Sequence, residues 1–230
     1  MKITSLLALA LTVGLATACS EDDTTAPATT NAYVQVVHAS PDAPNVDVLV
    51  DNAIVLTNVP FKAASGYLAV PAGTRNLKVN ATGTSVTVIN ADVAVMSGKY
   101  YTVMATGPVA TIQPLVLTDD YTSPAAGNAK VRLVHASPSA PTVDIYVTAP
   151  GASISAIMPT LTAVPFRGYS DYLEVPAGSY QVRVTPTGTK TVAIDTGALA
   201  LAAGQIRTGV AVDATGGGAP LGAILVADKN

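Results

Sequence analysis

Val36-Val37-His38-Ala39-Ser40-Pro41-Asp42-Ala43-Pro44-Asn45-Val46-Asp47-Val48 returns later in the chain as Leu133-Val134-His135-Ala136-Ser137-Pro138-Ser139-Ala140-Pro141-Thr142-Val143-Asp144-Ile145. A second block repeats as well: Val59-Pro60-Phe61-Lys62 with Tyr67-Leu68-Ala69-Val70-Pro71-Ala72-Gly73, and Val164-Pro165-Phe166-Arg167 with Tyr172-Leu173-Glu174-Val175-Pro176-Ala177-Gly178. The chain is therefore a duplicated module, and each copy has about one hundred residues in which to bury a core.

Within each copy the apolar residues alternate. Val34, Val36 and His38 share one face of a strand, with Gln35 and Val37 on the other; Val131, Leu133 and His135 repeat this against Arg132 and Val134. Because the second face carries Gln in one copy and Arg in the other, the His face is expected to be the buried one. Ser40-Pro41-Asp42-Ala43-Pro44 ends the strand, since its prolines donate no hydrogen bond and Ser and Asp favour local turns. Further strands are expected at 46–50, 67–70, 75–81, 85–91, 100–106 and 112–117, punctuated by Pro-Ala-Gly, Thr-Gly-Thr and Ser-Gly-Lys. No useful helix is visible. The pattern predicts an all-β chain of two tandem antiparallel β-sandwich domains of immunoglobulin-like type, over 33–118 and 130–230, with a small closed barrel as the alternative. Residues 119–129 read as a linker that stacks the domains semi-rigidly, and Asp119-Asp120 as a solvated part of it.

The first 18 residues, a Met1-Lys2 start followed by an apolar run, read as a secretory signal. The run is shorter than the roughly 20 residues of a spanning helix, and polar Ser20-Glu21-Asp22-Asp23 follow it. Leu15-Ala16-Thr17-Ala18-Cys19 resembles the lipobox of bacterial lipoproteins, with Ala16 where Leu is usual. That resemblance implies cleavage before Cys19, the only cysteine, and acylation of its sulfur and new amino group. Two or three acyl chains suffice for stable tethering, so the expected partner is a membrane reached through lipid on Cys19, with 19–32 as a flexible tether. Ser20 resembles the sorting residue of outer-membrane lipoproteins, and the acidic run after it resembles surface-export signals.

Charged residues are 12% of the chain against about 25% in typical domains, and the net charge is −3 with Lys and Arg scattered. No positive stripe exists to neutralise phosphates, so nucleic acid is not an expected partner. No Trp and only two Phe are present, which weakens a carbohydrate platform; Tyr67, Tyr100, Tyr101, Tyr169 and Tyr172 would have to form an exposed cluster to supply one.

The repeated motif is the candidate structural motif: His38, Ser40, Pro41 and Asp47 in the first copy, His135, Ser137, Pro138 and Asp144 in the second. Each His is expected to end a buried strand and to fix the following turn through a ring nitrogen. A His–Asp dyad is disfavoured by parity, since the imidazole points inward and Asp47 or Asp144 outward, and no nucleophile elbow is present. One His per copy and no acidic calcium loop leave no metal ligand set, and no cofactor is expected. Lys62 and Arg167 are expected to lay their stems over the core edge. The segment 51–58 becomes twice as long in the second copy, 148–163, and brings Ile154, Ile157, Met158 and Leu161 as a candidate partner-binding loop or an inter-domain packing element.

The repeated motifs together resemble the bacterial domain of unknown function 4397 family over nearly all of both modules. The resemblance implies an exported or envelope-anchored tandem β-sandwich with no established activity. The expected function is a non-enzymatic cell-envelope lipoprotein serving as an adhesion, scaffold or protein-binding module. The alternative is a module for glycans or cell-wall polymers, and a His-dependent hydrolase is the third reading.

Overall fold

The structure, a computed structural model, describes residues 31–230. The signal segment, Cys19 and the tether as far as residue 30 lie outside the described residues. Asn31 and Ala32, expected to close the tether, are already in the first strand.

Eight strands form the first unit: β1 (Asn31–Ala39), β2 (Val46–Val50), β3 (Ala53–Val59), β4 (Leu68–Pro71), β5 (Gly73–Ala81), β6 (Thr87–Val95), β7 (Tyr100–Thr106) and β8 (Gln113–Asp119). The second unit repeats them as β9 (Asn128–His135), β10 (Val143–Thr148), β11 (Leu161–Val164), β12 (Leu173–Pro176), β13 (Gly178–Pro186), β14 (Ile194–Leu201), β15 (Ile206–Val212) and β16 (Gly222–Lys229). Each unit is a sandwich of two four-stranded sheets, ordered β4-β1-β7-β8 over β3-β2-β5-β6 and β12-β9-β15-β16 over β11-β10-β13-β14. The all-β tandem-sandwich architecture is thus observed, with one refinement: β1 runs parallel to β7, and β9 parallel to β15. The first strand leaves its sheet partner β4 on one side and meets the late strand β7 on the other, a pairing that local alternation cannot reveal.

Segment 51–58 contains a strand that alternation does not predict. Asp51 and Asn52 both have positive φ, as a two-residue type I′ hairpin requires, and they turn β2 directly into β3. In the second unit the equivalent stretch forms a longer loop before the short β11.

The expected solvent face of the first strand is not solvated. Ala32, Val34 and Val36 face their own sandwich core with Tyr101, Val103, Leu77 and Val93. On the opposite face, Val37, Ala39, Met104 and Leu117 pack against Val134, Val210, Val212, Ile224 and Val226 of the second unit. Sheets β4-β1-β7-β8 and β12-β9-β15-β16 therefore lie face to face, and the chain is a stack of four sheets with an apolar core between its units. Gln35 and Arg132 are buried in that interface. The linker is correspondingly shorter than expected: Asp119 ends β8 and is buried, and β9 begins at Asn128.

Candidate functional site

Parity sets the geometry of the repeated motif. As the last inward-facing residue of β1, His38 is fully buried and lies edge-on to Phe61 at 6.1 Å. Its Nε2 donates to the Pro44 carbonyl at 3.1 Å, and its Nδ1 faces the Ser40 N–H at 3.4 Å. His135 repeats this with Pro141 at 3.0 Å, Ser137 at 3.4 Å and Phe166 at 6.3 Å. Burial pulls both imidazoles below their ordinary pKa, against the opposing pull of the carbonyl bonds, so both rings are held neutral.

The serines turn away from the imidazoles. Ser40 Oγ donates to the Gly107 carbonyl at 2.6 Å, while Ser137 Oγ donates to Asp213. Pro41 and Pro138 end the strand, and the Pro41 carbonyl accepts from Gly216 N–H of the second unit at 2.7 Å. Asp47 accepts from the Asn58 N–H at 2.8 Å and the Thr82 hydroxyl at 2.9 Å, and the first of these bonds is the main reason its pKa falls. Asp144 accepts from the Ala163 and Gly188 N–H groups, both at 2.9 Å; burial pushes its pKa up, but these bonds prevail and leave it below the ordinary value. Asn58 and Ala163 both have positive φ, so each Asp secures an irregular turn at the sheet edge. These motif side chains are thus engaged within the fold, and among the described residues no hydroxyl bonds to either imidazole.

The Phe-Lys and Phe-Arg steps reach across the units. Arg167 stacks on Phe166 at 4.7 Å and donates to the Thr106 hydroxyl at 2.9 Å and to Gln113 Oε1 at 2.7 Å, both in the first unit. Lys62 lies over Phe61 at 5.2 Å. These residues do cover a core edge, and Arg167 also pins the units together.

Deeper in the interface is a polar network that sequence reasoning missed. In the first unit Asp119 accepts from the Tyr67 and Thr102 hydroxyls, both at 2.7 Å. In the second, Asp228 accepts from Tyr172 at 3.0 Å and Thr208 at 2.6 Å. The links across are reciprocal: Gln35 Nε2 donates to Asp228 at 2.7 Å, and Arg132 pairs with Asp119 at 2.7 Å. The Arg132 approach is ionic rather than a well-aligned hydrogen bond, since Asp119 Oδ1 has no hydrogen-bond donor. Arg132 also donates to the Thr208 hydroxyl, which in turn donates to Asp228, so the guanidinium pairs with Asp119 and reaches Asp228 only through Thr208; Gln35 keeps an unpaired buried Oε1. Burial raises the pKa of Asp228, and it also raises Tyr67 and Tyr172 far above the ordinary tyrosine range. The available signal was that Gln35 and Arg132 occupy equivalent positions on the apolar first strands.

The five tyrosines named from the sequence separate. Tyr100 is stacked between Tyr33 at 4.7 Å and Tyr121 at 3.8 Å, with Tyr67 edge-on at 5.0 Å, and Lys229 covers Tyr121 at 4.9 Å. Both faces of Tyr100 are therefore occupied. Tyr101 is buried, its oxygen accepting from Met96 N–H. Tyr169 and Tyr172 instead line a polar cleft of about 280 Å³ between the units, with Asp120, Asp171 and Arg132. Tyr169 is 54% exposed there, whereas the Tyr172 ring carries the Arg132 guanidinium at 4.7 Å. Lys130 donates to Asp120 and, with help from Thr122, draws its pKa down to about 2.

The candidate partner loop is only partly a surface. Ile154 is buried and Leu161 lies in β11 against the second core, which leaves Ile157 and Met158 exposed, Met158 by 84%. Among the described residues, no group of three or more His, Cys, Asp or Glu side chains is gathered as for a metal ion.

The sequence profile of the family described as Domain of unknown function (DUF4397) matches residues 2–48, 32–146 and 151–230. No curated protein matches the sequence. Among solved structures, the Bacillus anthracis TIE protein is similar at 10% identity and a TM-score of 0.26, over 81% of this chain and 34% of that one. The chain thus spans about a third of that protein. A structure described as alpha-glucan binding by a streptococcal virulence factor is similar at 13% identity and a TM-score of 0.27, over 77% and 92%. The family CBM26 module of Eubacterium rectale Amy13K, solved with maltoheptaose, is similar at 10% identity and 0.28, over 86% and 98%. Likenesses this weak identify no shared ligand.

Proposed function

We propose that this chain, which belongs to the family Domain of unknown function (DUF4397), is a non-enzymatic binding module of the bacterial cell envelope, held at a membrane by acyl chains on Cys19 and working in adhesion, as a scaffold or in protein capture. The observation that carries the reading is the closure of the repeated motif. Both ring nitrogens of His38 and His135 are engaged within the fold, Asp47 and Asp144 hold turns on the opposite face of their strands, and the serines bond elsewhere. A body whose two units share a buried core presents its loops as a fixed surface, and function on such scaffolds concentrates in loops. The exposed Ile157 and Met158 on the loop before β11 are the apolar part of that surface.

Two experiments test this. Metabolic labelling with a fatty acid is expected to mark the wild-type protein and not Cys19→Ser, with the variant released from membranes; an unlabelled wild type would remove the anchor. Cells displaying Ile157→Asp with Met158→Asp are expected to lose adhesion while keeping the wild-type amount of folded protein. Undiminished adhesion would remove the loop from the reading.

The inter-unit cleft favours a second reading, a glycan or cell-wall polymer as the partner. A half-exposed Tyr169 beside Asp120 and Asp171 offers a ring face and carboxylate acceptors suited to sugar hydroxyls. Retention on purified cell-wall polymer or a glycan array, abolished by Tyr169→Ala, is the result this reading requires.

A further inference from the structure

Between the two sheets of the second unit lies a cavity of about 320 Å³. Its walls are aliphatic, with Leu133, Ile145, Val182 and Val184 among them. The open side lies between the edge strands β14 and β16, where Leu199 forms one lip and Leu221 and Leu225 the other.

Comparing the two repeats strand by strand explains why the second core is hollow. In the first unit Val34 pairs with Tyr101 and Val36 with Val103, and all four side chains are buried in the sandwich. The equivalent pairs in the second are Val131 with Arg207 and Leu133 with Gly209. Arg207 sends its guanidinium to the Lys229 carbonyl at 3.4 Å, and Gly209, which lines the cavity, supplies no side chain. At these two positions of β15 the second unit therefore lacks the core-filling side chains that β7 supplies in the first. An apolar cavity stays dry, and its lining forfeits dispersion contacts until something apolar enters.

We propose that this cavity binds a single aliphatic chain of about ten carbons bearing an uncharged head group. The length takes roughly 30 Å³, the share of one water molecule in the liquid, as the room for each non-hydrogen atom, and the volume falls in the range of small-molecule sites. The mouth sets the head group, because Asp195 is the charged lining residue there. Its carboxylate accepts from Gln181 at 2.6 Å and the Gly197 N–H at 2.9 Å and is paired with Arg183 at 3.6 Å, so the mouth offers no free charge to a charged head group. This site is separate from the exposed loop and the inter-unit cleft.

The test uses the purified, detergent-free chain and the neutral probe 1-decanol, which displaces the uncharged dye N-phenyl-1-naphthylamine. Gly209→Val installs the first-unit residue; its new Cβ would lie 3.2 Å from the end of the Leu133 side chain and 4.0 Å from the Arg132 carbonyl, so the flexible Leu133 end has to shift by a few tenths of an ångström into the cavity. Leu225→Arg puts a charge on an exposed lip position. Saturable one-to-one displacement is expected in the wild type, at least tenfold weaker in both variants, with the Gly209→Val melting temperature equal to or above the wild type. Absence of saturable binding in the wild type, or unchanged affinity in both variants, would overturn the proposal. Decanoate binding as tightly as decanol would overturn the uncharged head group.

Discussion

Replacing Arg132 with Met removes the guanidinium paired with Asp119 while keeping an unbranched stem of similar reach. The Arg132 and Asp119 side chains are 2% and 1% exposed and 2.7 Å apart, so both charges are largely withdrawn from water. Breaking one partner out of a buried pair costs about 3–5 kcal/mol, most of it the penalty on the carboxylate left behind. Because the two units share a core, they are expected to unfold as one body of 150–250 residues, for which each kcal/mol moves Tm by about 2–4 °C. The expected drop is then about 6–20 °C, read by differential scanning calorimetry together with urea unfolding at about pH 7. The loss should shrink as pH is lowered, because Asp228, whose charged form Arg132 favours against burial, takes up its proton and part of the uncompensated charge disappears. Adding Asp119→Asn to Arg132→Met should recover part of the loss, with a coupling of about 0.5–3 kcal/mol. A loss below about 1 kcal/mol, or one that does not change with pH, would refute the claim that the guanidinium compensates buried carboxylates.

Asp228 has its pKa raised by burial, so the folded state holds its proton longer than the unfolded chain; its contribution is fully present at low pH and is lost as pH rises through the raised value. Urea unfolding of Asp228→Asn against wild type should therefore show the wild type losing more stability between about pH 4 and pH 8, and parallel curves would contradict this. His38 and His135 shift the other way: with folded pKa values depressed by burial, their contribution is complete above about 6.5 and falls away as pH drops below it. His38→Ala or His135→Ala should cost about 1–3 kcal/mol by orphaning the Pro44 or Pro141 carbonyl, and unchanged melting would free the histidines for another role. Gly107 has φ of 92°, and a Cβ there would lie 3.0 Å from Arg167 Nη2. Gly107→Ala should lower stability by about 1–2 kcal/mol in chemical denaturation.

The repeat and its alternation were enough to read two all-β units, the strand from Val34 to His38 and the turn that follows it, because strand period and Pro-rich turns are local properties of the chain. The opposite orientation of His38 and Asp47 followed from the same parity. The face bearing Gln35 and Arg132 could not be assigned this way: a polar residue amid valines looks the same whether it meets water or a buried carboxylate. Strand β3 escaped because its own residues alternate poorly, although Asp51-Asn52 marks its hairpin. The hollow second core was latent in the contrast of Val103 with Gly209, yet that contrast acquires meaning only once the parallel pairing of β7 with β1 and β15 with β9 aligns the two positions. By itself the sequence determined the units, because backbone periodicity is written residue by residue. Only the tertiary structure decided how they join, which polar groups are buried together and where one core is empty, because packing depends on residues far apart in the chain that local patterns do not connect.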